Sequence, residues 1–141
     1  MSSLEDFKIN VRLKLSALWA TAMACYIYCD YFELYVPGKL QGMLKGTIDE
    51  LGTISQGMLL GMSMVMIVPS LMIYLSLVLR PSVCRWSNIV IGLCFTLLLC
   101  MMAYEATWYF YKVFAVVEAG LTALIVMYAW KWPRMPDAQP A

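Results

Sequence analysis

Four long runs of apolar residues, separated by glycine, proline or clustered charge, dominate the hydropathy pattern of this 141-residue chain. They predict helical spans over about residues 13–36, 54–79, 87–104 and 108–130. At about 1.5 Å per residue, the longer runs can cross a hydrocarbon core of about 30 Å. The pattern therefore predicts an all-α fold, an integral membrane bundle of four transmembrane helices that forms one domain over residues 1–133.

Both ends of the chain are more polar than these runs. Residues 1–14 place Leu4, Phe7 and Val11 on one helical face opposite charged side chains, a pattern typical of a short interfacial helix. Residues 134–141 combine proline with polar residues, so we expect a flexible tail. A basic start before an apolar run is also typical of a secretory signal peptide, but the three later runs favour an uncleaved first helix.

Glycine, proline and polar residues within and between the runs predict further local features. Residues 37–53 contain four glycines and mixed charge, which predicts a loop that partly rests on the membrane surface. Residues 80–86 predict a tight, basic turn. In the second run, Pro69 removes a backbone donor, which predicts a kink. The third run carries a polar and small stripe, Asn88, Gly92 and Thr96, suited to packing against a neighbouring helix.

Composition supports a bilayer as the solvent. Hydrophobic residues make up 62% of the chain and charged residues 13%, against about 25% charged in soluble domains. The net charge of +1 gives no reason to expect a nucleic-acid partner. Because the chain has no histidine, acid–base chemistry is left to carboxylates, lysine, tyrosine and cysteine. A membrane enzyme is therefore the least supported function.

The sulfur-containing residues predict packing rather than chemistry. The five cysteines include no C-x-x-C pair, and buried thiols in apolar surroundings are inert. Met58, Met62 and Met66 could contact a soft metal, but methionine more often fills gaps between helices. We therefore expect neither a metal site nor a cofactor.

Three carboxylates fall inside the predicted spans. Asp30 and Glu33 lie near the end of the first span, in the segment YIYCDYFELYVPG, and Glu118 lies near the middle of the fourth. A charged residue at the centre of a membrane helix costs about 2.5–3.5 kcal/mol, so it normally faces protein or a watery cavity. Helical spacing puts Tyr26 on the same side of the first span as the two acids.

The fourth span has a matching polar face, which includes Tyr111 and Glu118. We predict that the two faces enclose a pocket open to the outside, able to bind or transport a small cation or polar molecule and to exchange protons. The candidate residues for ligand binding or proton coupling are Asp30, Glu118, Glu33, Tyr26, Tyr111 and Lys112.

Two alternatives remain open at the level of the sequence. The acids could be neutralised internally, by Lys112, by tyrosine hydroxyls or by protonation of Glu118. The protein could also be a structural or accessory subunit. It would then dock a membrane partner or a second copy through small-residue faces, formed by Gly57 and Gly61 or by the run Ala115, Ala119 and Ala123.

The ten basic residues predict an orientation. Three lie at the start of the first span, two lie in the second turn and two follow the fourth span. The other three are two in the first loop, on the opposite side, and Lys112 just inside the fourth span. Cytoplasmic loops carry the excess of Lys and Arg, so we expect both termini in the cytoplasm.

Three segments carry a resemblance to a known family: KLSALWATAMACYIYCDYFELYVPGKL, IVPSLMIYLSLVLRP and ALIVMYAWKWP. The chain resembles a family of small, uncharacterised, four-span bacterial membrane proteins. This resemblance implies a four-helix fold in the bacterial cytoplasmic (inner) membrane, and it implies no activity. Size and a buried glutamate are also similar to the small multidrug transporters. Those carry the acid on the first helix, however, so the likeness concerns architecture alone.

Overall fold

The computed structural model describes residues 8–48 and 52–133. Within these ranges the chain forms five helices and one small hairpin. They are α1 (Val11–Glu33), α2 (Lys39–Leu44), β1 (Thr47–Ile48), β2 (Gly52–Thr53), α3 (Gln56–Val78), α4 (Pro81–Glu105) and α5 (Tyr109–Trp130). In the described ranges the regular structure is therefore all helical apart from the four paired residues of the hairpin.

Three of these helices, α3, α4 and α5, are long and apolar enough to cross a membrane. Their length and composition indicate a helical membrane protein. Helix α1 has 23 residues, the same number as α3. Its tyrosines, its two acids and its basic first turn make it less apolar than the other three long helices.

The start of α1 differs from the expected interfacial helix. Asn10 caps α1, because its Oδ1 accepts a hydrogen bond of 2.9 Å from the backbone N–H of Arg12. Residues 11–14 thus form the first turn of α1, and residues 8–10 have no regular structure. The rest of the expected interfacial helix, residues 1–7, and the expected tail, residues 134–141, lie outside the described residues.

The prediction that the third span begins at residue 87 was wrong. Helix α4 begins at Pro81, and the connection from α3 is only Leu79 and Arg80. Proline suits the first helical position because its φ is already helical and the N–H that it lacks would have had no partner there. Charged residues in 80–86 had predicted a turn, but a membrane helix tolerates them at its end, where they reach water.

The predicted loop 37–53 contains regular structure. Helix α2 lies next to the antiparallel pairing of Thr47 with Thr53. Gly38 and Gly46 have φ of 86° and 76°, a backbone conformation that L side chains rarely adopt. These glycines therefore allow the sharp turns on either side of α2.

The long helices are arranged with α1 between α3 and α5, and α4 packs along the other side of α5. We call the end where α1 and α4 begin and α3 and α5 end the basic end, and the opposite end the acidic end. The core near the basic end surrounds Trp19, which is fully buried. A second apolar cluster, nearer the acidic end, contains Tyr26 and Phe95.

Helix α3 is packed along only half of its length. Its buried residues are Pro69, Met72 and Ser76, all in the half that leads to the basic end. Residues 56–68 are exposed except for Met58, which is partly buried. Helix α3 packs mainly against α1 and touches α4 little, so its half toward the acidic end is largely exposed.

Candidate functional site

A small, partly open cavity is lined by residues of α1, α3, α4 and α5, in the half of the bundle toward the acidic end. Its volume is about 60 Å³. The residues that line it are Tyr26, Cys29, Asp30, Met66, Phe95, Leu98, Leu99, Met102, Tyr111, Ala115 and Glu118. We call this space the acidic cavity. It brings together both of the predicted polar faces.

Glu118 is the most deeply buried acid in the described residues, with 3% of its surface exposed. On α5, Ala115 lies about one turn before Glu118 and Ala119 directly follows it, and these small side chains leave room for a neighbouring helix to approach. The Oε1 atom of Glu118 has no hydrogen-bond partner among the described residues. An unpaired buried carboxyl oxygen is costly, because it loses its hydration without gaining a replacement.

Tyr26 contributes the second unpaired group. It is 6% exposed, and its hydroxyl has no hydrogen-bond partner among the described residues. Its ring lies against Phe95, with the ring centroids 6.4 Å apart. The aromatic contact holds the ring on the buried face of α1, and Tyr26 and Glu118 both line the acidic cavity.

Asp30 and Tyr111 complete the polar lining of the acidic cavity. Asp30 lies one turn beyond Tyr26 on α1, which follows from the i, i+4 spacing of a helix. Unlike Glu118, Asp30 is exposed at the bundle surface. It therefore occupies the rim of the cavity, with Glu118 deeper inside.

The other two candidate residues do not line this cavity. Glu33 pairs with Lys39 at 2.6 Å and borders a separate groove of about 380 Å³ between α1, α4 and α5. Lys112 borders neither space and forms no ion pair within residues 8–48 and 52–133. Within the described residues, Lys112 therefore forms no ion pair with Asp30 or Glu118.

Sequence reasoning missed most of the apolar lining of the cavity and, with it, the two sulfur-containing residues Cys29 and Met66. The spacing of Cys29, three residues after Tyr26, puts it on the same helical face and could have indicated its position. The sequence singled out Met66 only as one of three spaced methionines. Its place in the cavity could not be predicted, because it depends on where α3 lies relative to α1 and α4.

The dimensions of the acidic cavity limit what it can hold. A water molecule occupies about 30 Å³ in the liquid, so the cavity, at about 60 Å³, has room for about two waters or one small ion. Pockets for drug-sized ligands measure about 300–1,000 Å³. Within the described residues, no group of three or more acidic, cysteine or histidine side chains is arranged to hold a metal ion.

The fold and this cavity define a helical membrane protein with a buried acidic site. The chain belongs to the family of unknown function DUF6326, whose model matches residues 3–138. This match agrees with the resemblance to an uncharacterised family that the sequence showed. No curated protein and no solved structure matches the chain significantly.

Proposed function

We propose that the protein binds and conducts protons or a small cation through the acidic cavity, with Glu118 as the inner group and Asp30 as the outer one. Tyr26 and Tyr111 would supply hydroxyl groups between them. Glu33 would lie outside this path because it is paired with Lys39.

The observation that carries this proposal is the pair of unpartnered polar groups, Glu118 Oε1 and the Tyr26 hydroxyl, in one cavity. A buried polar group without a partner costs about 1–3 kcal/mol. A bound water, proton or cation would recover much of that cost. A site built only to hold the helices together would be expected to satisfy these groups with protein atoms.

The size of the cavity favours the smallest ligands of those considered. A volume of about 60 Å³ suits about two waters that relay protons, or a monovalent cation with one water. It is too small for the organic cations that multidrug transporters carry. In the described part of the chain no three acidic, cysteine or histidine side chains are arranged to hold a metal ion, which also disfavours a divalent metal.

The proposal includes a membrane topology of four spans in the bacterial cytoplasmic membrane. Helix α1 would be the fourth span, which its 23-residue length and its packing between α3 and α5 support. The basic end would face the cytoplasm, because Lys8, Arg12, Lys14, Arg80, Arg85 and Lys131 lie there. The acidic cavity would then open toward the outside.

Flux measurements in vesicles test this function. The purified protein is reconstituted into vesicles that contain a pH-sensitive dye or, in a parallel set, a Na⁺-sensitive dye, and an imposed potential drives protons or Na⁺ across the membrane. We expect Glu118→Gln and Asp30→Asn to reduce the flux to the level of protein-free vesicles, because an amide can neither carry a proton nor balance a cation.

The matched control is Glu105→Gln, which removes an exposed acid at the same end of the bundle that does not line the acidic cavity. It should retain the flux of the unmodified protein. Circular dichroism should confirm that all three variants remain helical. Equal flux through the unmodified protein and the folded Glu118→Gln and Asp30→Asn variants would contradict the proposal.

A structural or accessory subunit is the second candidate function. The observation that favours it is the unpacked half of α3, where an added side chain at Gly57 or Gly61 would meet no atom within 4 Å. A partner helix could approach closely there. The other expected docking run is less available, because Ala115 and Ala119 are buried inside the bundle. Loss of flux in the Glu118→Gln variant would support ion or proton conduction over a purely structural role.

A further inference from the structure

A second concave surface lies at the basic end of the bundle, far from the acidic cavity. It is a groove of about 750 Å³ between the start of α1, the start of α4 and the segment that follows α5. Its lining residues are Lys8, Ile9, Asn10, Val11, Arg12, Pro81, Ser82, Arg85, Trp86, Trp132 and Pro133. We call it the basic groove.

The charge of the basic groove has one sign. Lys8, Arg12 and Arg85 contribute three positive charges, and no Asp or Glu is among the lining residues. The ion pair found in the described ranges joins Glu33 to Lys39, at the acidic end. None of the three groove cations is therefore neutralised by a described carboxylate.

Two of these cations are held in place by helix ends. Arg12 donates a hydrogen bond of 2.7 Å to the carbonyl of Leu77, near the end of α3. Arg85 donates to the carbonyls of Ala129 and Trp130, at the end of α5, at 3.2 and 3.3 Å. A guanidinium has five N–H donors, so each arginine keeps donors for a ligand after making these contacts.

The backbone adds to the positive potential. Helices α1 and α4 both begin at the groove, and the N-terminus of a helix carries a partial positive charge. Helix α4 has no side-chain cap, so its first backbone N–H groups at Ser82 and Val83 are also open to a ligand. Together these groups are suited to an anion with several oxygen atoms.

Two tryptophans indicate where the groove lies relative to the bilayer. Trp86 and Trp132 line it, and tryptophan concentrates at the level of the lipid headgroups. The groove is also at the end of four long helices, where headgroups meet the protein. A phosphate at this level most often belongs to a lipid, and basic pockets between membrane helices bind anionic headgroups.

We propose that the basic groove binds the phosphate of an anionic phospholipid headgroup, held by Lys8, Arg12 and Arg85. The acyl chains would lie along the exposed apolar side chains nearby, such as Val83 and Val90 on α4. Binding here would fix the junction of α1, α4 and α5 against the inner surface of the membrane. This site is independent of ion movement through the acidic cavity.

Native mass spectrometry of the full chain tests the proposal. The protein is released from detergent containing equal amounts of phosphatidylglycerol and phosphatidylcholine, and the adducts of each are counted. We expect a preference for phosphatidylglycerol. Each of Lys8→Gln and Arg85→Gln should reduce that preference about fivefold, since a basic side chain near an anionic surface contributes on that scale.

The matched control is Lys45→Gln, which removes an exposed cation at the acidic end and should leave the preference unchanged. Arg85→Gln also removes hydrogen bonds to the end of α5, so its helix content is measured alongside. If that variant unfolds, Lys8→Gln decides the test, because Lys8 precedes α1 and makes no described side-chain hydrogen bond or ion pair.

Two results would overturn the assignment. The first is an unchanged phosphatidylglycerol preference in Lys8→Gln and in any folded Arg85→Gln. The second is displacement of phosphatidylglycerol by glycerol phosphate at equal concentration, with the same dependence on Lys8, which would identify a site for soluble phosphate. Retention of the lipid in the presence of glycerol phosphate supports a lipid site.

Discussion

At the scale of single residues, the buried side chain of Asn88 joins several helices through hydrogen bonds. Its Oδ1 accepts hydrogen bonds from Trp19 Nε1 at 2.8 Å and from the Ser76 hydroxyl at 3.3 Å. Its Nδ2 donates to the carbonyl of Cys84 at 2.8 Å. One amide on α4 thereby satisfies polar groups of α1 and α3, and these bonds connect three helices in the apolar interior.

Replacement of this amide should destabilise the bundle. In Asn88→Leu, the buried Trp19 N–H and Ser76 hydroxyl lose a shared acceptor. We expect the free energy of unfolding to fall by about 1–3 kcal/mol, the cost of unpaired buried groups. Circular dichroism during titration with sodium dodecyl sulfate measures this loss.

The control for this prediction is Thr21→Ala. The Thr21 hydroxyl bonds only to the carbonyl of Ala17 in its own helix, on an exposed face. Its removal should change the free energy of unfolding by less than about 0.5 kcal/mol. An Asn88→Leu protein as stable as Thr21→Ala would show that the network contributes little.

At the scale of elements, the close approach of α4 and α5 depends on Gly92. A Cβ added there would lie 2.8 Å from Val126 Cγ2 and 3.4 Å from the carbonyl oxygen of Thr122. Nearby, Thr96 donates a hydrogen bond of 2.9 Å to the Thr122 hydroxyl, which itself bonds to the carbonyl of Glu118. This contact positions the helix that carries Glu118.

Enlarging Gly92 should separate these helices. We expect Gly92→Leu to lower the free energy of unfolding by about 1–3 kcal/mol or more, because β-branched Val126 cannot move aside freely. The matched variant is Gly120→Leu on α5, where an added Cβ meets nothing within 4 Å. Detergent titration should show the loss in Gly92→Leu alone, and equal stability of the two would contradict the close approach.

The periodicity of the sequence was sufficient for much of the element description. The long apolar runs predicted α1, α3 and α5 within about three residues at each end. The stripe Asn88, Gly92 and Thr96 predicted the face of α4 that packs. Helix α4 itself was predicted too short, because charged residues near Pro81 resemble a turn until their position at a helix end is known.

At the scale of the whole molecule, helical spacing predicted the two polar faces, but only their packing decides which residues meet. The faces of α1 and α5 meet because α1 lies next to α5, and four candidate residues share the acidic cavity as a result. Glu33 lies at the end of α1, about one turn beyond Asp30, so it does not reach the acidic cavity and pairs instead with Lys39 on α2. The sequence could not predict that pairing, because it depends on the course of the connecting loop.

The proposed topology makes the last prediction, which concerns the protein in its membrane. Ser82 lies at the basic end and Lys45 at the acidic end, both exposed, so cysteines introduced there in a cysteine-free background report the two sides. Because the basic residues concentrate at the Ser82 end, we expect an impermeant maleimide to label Lys45→Cys in intact cells and Ser82→Cys only after permeabilisation. Equal labelling of both sites in intact cells would indicate two opposite orientations. The acidic cavity would then face the outside in some copies and the cytoplasm in others, and this result would contradict the proposed fixed outward-facing site.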